Sequence, residues 1–443
     1  MEKQENRRVQ RLVLVLFPLQ GHTTPMLQLG SVLYSRGFAI TIAHTRFNPP
    51  DPINHPQFDF LVSGTPNIED VESINLNCQA PLQELELQKQ TAYSQVAGVI
   101  HDSLMYFAAT VANDNKIPSL VLRTSSAAFV QAYAALPHLL AEGSFLFQDS
   151  MSYEQVPQLN PLRFKDLPVS RENMALTLEL IDIVSKYKRS SVMIINTTDC
   201  LEHLPLLQLQ QLFQVPLFGI GPLSKVASAS STSFLEEESS CIAWLNNQTL
   251  KSVLYVSKGS LAMSDEKELT EIAWGLANSD QPFLWVVRPG SVSSSDWTEL
   301  LPQGFREHVG ERGLIVKWAP QKEVLAHFAV GGFWTHCGWN SVMESLSEGV
   351  PMISCPQFFD QKVNSRYITY IWKVGIELDG ELERGDIERS IRKLMGGREG
   401  VEIRQRAIEL KQMIDVSILE GGSTYNALND LTEFLLTNKI PPN

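Results

Sequence analysis

Short runs rich in leucine and β-branched residues alternate with helix-patterned stretches along the whole of this chain. RLVLVLF (11–17), AITIAH (39–44), SQVAGVIHD (94–102), PSLVLRT (118–124) and SVMIINT (191–197) fall in its first half. SVLYVS (252–257), PFLWVV (282–287), GLIVKW (313–318), GGFWTH (331–336) and PMISCP (351–356) fall in its second. Apolar runs without strict alternation belong to strands buried on both faces, and the helices between them supply the crossovers of parallel sheets. The expected fold class is therefore α/β, built from doubly wound parallel sheets.

A chain of 443 residues exceeds one ordinary core and calls for two domains or three. The break lies at SKVASASSTSFLEEESS, Ser224–Ser240, where small polar residues run into glutamates in the manner of a solvated linker. The divisions expected are 1–223, a linker 224–240, a second domain 241–423, and a final helix and tail 424–443 that pack back on the first domain.

Composition closes off several functions. With 44% apolar and 19% charged residues the chain is globular, and its net charge of −13 argues against partners such as nucleic acid or an anionic membrane. The five cysteines lack CxxC spacing and read as reduced packing residues without a zinc site. The apolar run Leu12–Phe17 is too short for a signal-peptide core or a membrane span, so the expected location is cytoplasmic. Neither GxGxxG after the first strand, nor a P-loop, nor GxSxG occurs, which sets aside a nicotinamide dehydrogenase. A monomer is favoured.

The stretch Trp318–Gln361, WAPQKEVLAHFAVGGFWTHCGWNSVMESLSEGVPMISCPQFFDQ, carries the most chemistry. Strand-like GGFWTH runs through the turn HCGWNS into the helical pattern SVMESLSEG. Backbone N–H groups are thus presented to an anion at a sheet edge. Trp318 ends a strand where its indole can stack on a base and the Ala319 backbone can read a pyrimidine edge. Asp360 and Gln361 stand on a loop after PMISCP, an acid and an amide suited to neighbouring sugar hydroxyls. Ser341 and Glu344 also have the spacing of a capping box, and that reading stays open beside the functional one.

This stretch closely resembles, in length and order, the signature box of plant family 1 UDP-dependent glycosyltransferases. The resemblance implies facing Rossmann-like domains in the GT-B arrangement with a cleft between them, an acceptor-binding first domain and a UDP-sugar-binding second one. It implies that His336, Asn340 and Ser341 contact the pyrophosphate, Glu344 and Gln321 the ribose, and Trp318 with Ala319 the uracil. Trp339 lies in the same box and is counted with the donor-binding residues. A final glutamine accompanies glucose donors in the family, so UDP-glucose is the expected co-substrate, with no permanently bound cofactor. Upstream, SVLYVSKGS adds Gly259 and Ser260 to the donor loop. Family members usually carry Phe where this chain has Lys258, which either assists the pyrophosphate or sits in solvent.

In the first half, RLVLVLF leads into PLQGHTTPM, where Thr24-Pro25 has the form of a helix start with proline at its first position. His22 stands just before that start, at the carboxyl edge of the strand, and matches the family's catalytic base. Asp102 ends VAGVIHD ahead of the helical SLMYFAATVA and matches its dyad partner, although a plain helix N-cap is the competing reading. Thr124 and Ser125 match positions that contact the transferred glucose, or cap the following helix. No DxD pair flanked by strands occurs, so no metal is implied. The expected reaction is inverting transfer to an acceptor hydroxyl or nitrogen. Leu19, Met105, Phe107 and Phe129 are candidates for the wall of a small apolar acceptor's pocket, with helix packing the alternative for Phe107 and Phe129. A catalytically idle nucleotide-sugar binder is the alternative function.

Overall fold

A computed structural model of the chain describes residues 9–63, 70–88, 94–142, 152–169, 177–179, 181–182, 190–227, 232–261, 265–291 and 301–439. It forms two compact units. One comprises Met1–Ser144, Glu172–Phe234 and Val416–Asn443; the other comprises Phe145–Arg171 and Leu235–Asp415.

The first unit is a seven-stranded parallel sheet of β1 (Val9–Val15), β2 (Ala39–His44), β3 (Asp59–Val62), β4 (Ser94–Asp102), β5 (Ser119–Arg123), β6 (Val192–Ile195) and β7 (Leu217–Gly219). Its strand order is β3-β2-β1-β4-β5-β6-β7. Successive side chains of β1 go to opposite faces. Leu12, Leu14 and Leu16 join a core with Met26, Leu27, Leu428 and Leu431, whereas Val13, Val15 and Phe17 pack with Ile74, Met105 and Phe107. Both faces are therefore dry, the reason the run is apolar throughout.

The second unit repeats the plan with β8 (Val253–Ser257), β9 (Phe283–Val286), β10 (Gly313–Val316), β11 (Val330–Thr335), β12 (Met352–Ser354) and β13 (Gly375–Glu377). These form a six-stranded parallel sheet in the order β10-β9-β8-β11-β12-β13. In each unit the winding reverses once, between β1 and β4 and between β8 and β11. Loops leaving the carboxyl ends of two such strands diverge to opposite faces and open a crevice, where ligands of this architecture bind.

Several local expectations are corrected. The helix after β1, α1 (Gln20–Ser35), starts a turn before Thr24-Pro25, because the Leu19 carbonyl already accepts from the N–H of His22 (2.9 Å) and Thr23 (2.8 Å). After Asp102 the chain first makes a tight turn, and α3 (Phe107–Asp114) begins only beyond it, so Asp102 is no helix cap; α2 (Val71–Gln88) lies earlier in the chain. Downstream come α4 (Ala127–Ala141), α5 (Asp199–Phe213), α6 (Glu266–Asn278), α7 (Gln321–Ala326), α8 (Trp339–Glu348), α9 (Asp360–Arg366) and α10 (Ser423–Thr437). Asp360 and Gln361 open α9 and are not on a loop.

Two segments leave the half of the chain they belong to by sequence. Residues 145–171 belong to the second unit, where Arg163 pairs with Asp166 and Glu377, and Lys165 pairs with Glu377 and Asp379. Helix α10 belongs to the first, and its Leu428, Leu431, Phe434 and Leu435 are core residues there. Among the described residues, no helix is long and apolar enough to cross a membrane.

Candidate active site

The reversal point of the first unit brings together His22, from the first turn of α1, and Asp102, the last residue of β4. His22 Nδ1 lies 2.9 Å from Asp102 Oδ2 and 3.3 Å from the Thr124 hydroxyl. The Asp102 side chain is fully buried, while the imidazole keeps 25% of its surface exposed. Burial alone pushes the Asp102 pKa up. The charge and hydrogen bond of His22, the Leu104 N–H at 2.8 Å on Oδ1 and the Arg123 charge together outweigh it and hold the carboxyl below its ordinary value. An ionised carboxylate only accepts, so the Nδ1 proton points at Asp102 and Nε2 carries the lone pair. The edge of the Phe17 ring packs against the imidazole, with centroids 5.2 Å apart.

Residues that no motif pointed to hold this arrangement. Asn75 of α2 is 2% exposed; it donates to the Leu104 carbonyl at 2.7 Å and accepts from the Phe107 N–H at 3.0 Å, bracing the turn after Asp102. Arg123 donates to the Ser125 hydroxyl at 3.0 Å. Thr124 and Ser125 are both buried, ahead of the N-cap Ser126 of α4. The four candidates for the apolar wall differ in exposure. Met105 and Phe107 are buried among Ile74, Cys78 and Val111, because the turn after Asp102 folds them inward, and Phe129 is buried against Tyr133. Leu19 alone of the four keeps partial exposure.

In the second unit the loops after β8 and β11 meet. A Cβ on Gly259 would stand 2.4 Å from the His336 ring, and one on Gly338 also 2.4 Å from it, so the imidazole lies directly on two stretches of glycine backbone. Gly259 has φ +78° as well. His336 is pushed down to about 4, first by burial and then by the charge of Lys258, with a hydrogen bond to the Ser257 backbone pulling the other way. It is thus neutral at ordinary pH. Its Nδ1 is buried and has no hydrogen-bond partner among the described residues. Lys258 does not sit in solvent: it is largely buried and pairs with Glu268 of α6.

Helix α8 starts at Trp339 with Gly338 as its N-cap residue, so Asn340 and Ser341 lie in its first turn and the Ser341–Glu344 capping box does not form. One turn apart on the same face, Ser341 and Glu344 instead receive the two hydrogen bonds of the Gln321 amide, at 3.0 and 2.8 Å. Tyr255 in turn donates to Gln321 Oε1 at 3.3 Å. Burial pushes Glu344 up, and the Gln321 bond draws it partly back. The Trp339 indole is buried against Trp372.

Trp318 is half-buried, and Ala319 beyond it is buried. Its backbone is clamped by Glu238, whose carboxylate accepts from the Lys317 N–H at 2.7 Å and whose N–H donates to the Trp318 carbonyl at 3.0 Å. Asp360 accepts from Asn364 at 2.9 Å, and the same Asn364 amide donates to the Cys337 carbonyl at 2.9 Å, tying the start of α9 to the loop after β11. Gln361 Oε1 accepts from the N–H groups of Gln357 (2.8 Å) and Phe358 (3.2 Å), which leaves its NH₂ to donate. Ser260 is partly exposed beside Gly259.

A model of the family UDP-glucoronosyl and UDP-glucosyl transferase matches residues 231–402. UDP-glycosyltransferase 76E1 of Solanum lycopersicum is 48% identical, over 98% of this chain and 94% of its own length. UDP-glycosyltransferase 76E4 of Arabidopsis thaliana is 45% identical, over 99% and 100%. The chain belongs to the UDP-glycosyltransferase family. Among solved structures, a UDP-glucosyltransferase from Polygonum tinctorium capable of glucosylating indoxyl has a TM-score of 0.85 at 29% identity, over 97% of this chain and 99% of that one. Phytolacca americana UGT2, complexed with UDP-2fluoro-glucose and pterostilbene, has a TM-score of 0.83 at 30% identity, over 97% and 100%. In this UDP-glycosyltransferase, then, His22, Asp102 and Thr124 gather at one reversal point, and Gly259, His336 and the first turn of α8 at the other.

Proposed function

We propose that the protein transfers glucose from UDP-glucose to a hydroxyl of a small apolar metabolite, with inversion at the anomeric carbon. The observation that carries this reading is the 2.9 Å bond between His22 Nδ1 and Asp102, which leaves Nε2 as the basic nitrogen. As the acceptor oxygen attacks C1, its proton passes to Nε2, the C1–O bond to the diphosphate breaks, and UDP departs; an α-linked donor gives a β-glucoside. A side-chain base cannot fully ionise a phenol of pKa about 10 beforehand, so proton removal accompanies attack and contributes about 10²–10⁴-fold. Asp102 stabilises the imidazolium that results.

On the donor side, the backbone N–H groups opening α8 suit a diphosphate, with the His336 ring packed beside them. The Gln321–Ser341–Glu344 cluster suits a ribose, and Asp360 with the Gln361 NH₂ suits glucose hydroxyls. An aromatic acceptor is supported by relatives: a protein named flavonol 3-O-glucosyltransferase from Arabidopsis thaliana is 44% identical over 99% of this chain. The test is incubation with UDP-glucose and a panel of phenolic, terpenoid and N-heterocyclic acceptors, following glucoside and UDP by mass spectrometry. His22→Ala is expected to abolish O-glucosylation with UDP affinity kept within about twofold, since about 10²-fold or more rests on the base. Full turnover by that variant would overturn the reading.

A further inference from the structure

Glu202 lies far from every motif and is 1% exposed. Its two carboxylate oxygens each accept one backbone N–H, from Ala127 and Ala128, both at 2.9 Å. These are the first two residues of α4, and the Phe129 N–H is taken by the Ser126 hydroxyl at 3.2 Å. Helix α5 gives up helical geometry at Glu202 itself, with φ −135° and ψ 39°. Burial holds this carboxyl above its ordinary value, and the N–H groups of Ala128 and Ala127 draw it only partly back. Burying a carboxylate is expensive unless donors meet it, and a broken helical turn adds to that cost. The arrangement fixes the turn 124–126, whose Thr124 hydroxyl lies 3.3 Å from His22 Nδ1.

We infer that Glu202 is a positioning residue for the transfer reaction: it seals the N-terminus of α4 with an internal carboxylate, sets Thr124 against the His22 imidazole, and denies that helix end to a ligand anion. This rests on the role proposed for His22. An anionic diphosphate therefore finds no open helix N-terminus at α4, whereas a neutral acceptor loses nothing there.

The experiment uses the full-length enzyme with UDP-glucose and its best acceptor. Glu202→Gln keeps the shape but offers one acceptor oxygen where two N–H groups need one. It is expected to lower kcat by about 10–10²-fold, the scale of a small misplacement of catalytic groups, with the KM for UDP-glucose and the affinity for UDP within about twofold. Glu202→Asp keeps both acceptor oxygens on a shorter stem, and it is expected to retain more of kcat than E202Q at the same KM for UDP-glucose. Should E202Q not fold, E202D is measured alone, and a lowered kcat with an unchanged KM supports the reading. Unchanged kcat in folded E202Q, or in E202D measured alone, or a loss of UDP affinity as large as the loss of kcat, overturns the inference. Loss of turnover in H22A beside full kcat in E202Q removes this inference only, whereas an active H22A removes the mechanism beneath it.

Discussion

His336 shows how one side chain's surroundings set its chemistry. Two glycine backbones and the Lys258 charge hold it neutral, pushed down to about 4. A histidine whose folded pKa lies below its unfolded value of about 6.5 takes up a proton more readily when unfolded, so its contribution to stability is complete above that value and is lost as the pH falls toward 4. Urea unfolding from pH 7.5 to 4 is expected to show the wild type losing stability relative to His336→Asn through that window, with the two curves parallel above it. Lys258 contributes to the depression by charge, although its own ammonium is committed to Glu268. At this scale the sequence was legible where a residue acts through its neighbours in the chain: His22, Gly259 and the HCGWNS turn all stand where their strands end. It was silent where a residue acts across the fold. Asn75 reaches its loop from 29 and 32 positions away and Glu202 its helix end from 74 and 75, and nothing local distinguishes either from a surface polar residue.

Among the elements, strands announced themselves because burial on both faces makes them continuously apolar, and only β3, β7 and β13 escaped, being short and partly exposed. Helix starts were less legible. Thr24-Pro25 and Ser341-x-x-Glu344 both imitate start signals, yet each lies inside a helix already begun, since the first carbonyl able to accept lies upstream. What fixes the loop after β8 is the close approach of backbone to ring at Gly259. Gly290 has a similar positive φ, +76°, with no atom near a prospective Cβ, whereas Gly259 would meet the His336 ring. Gly290→Ala is expected to cost only the left-handed backbone penalty, about 1–2 kcal/mol. Gly259→Ala is expected to cost more and to weaken UDP binding as well, read by thermal unfolding and UDP titration; equal effects would mean that the ring moves aside freely.

For the whole molecule, the decisive element is α10. Its Leu431 is fully buried in the first unit's core with Leu12, Leu14 and Ile100. Leu431→Ala is expected to destabilise by about 2–5 kcal/mol, the usual cost of emptying such a site, measurable as a lower urea midpoint. That final helix also bears on how the polypeptide is made. A ribosome delivers residues in order, and domains usually complete themselves as they emerge. Here the leading sheet waits with an uncovered leucine seam while nearly two hundred further residues, Leu235–Asp415 among them, are synthesised. A transcript cut short before residue 423 would yield a product whose early portion never closes, and such nascent chains are natural clients for chaperones and proteases.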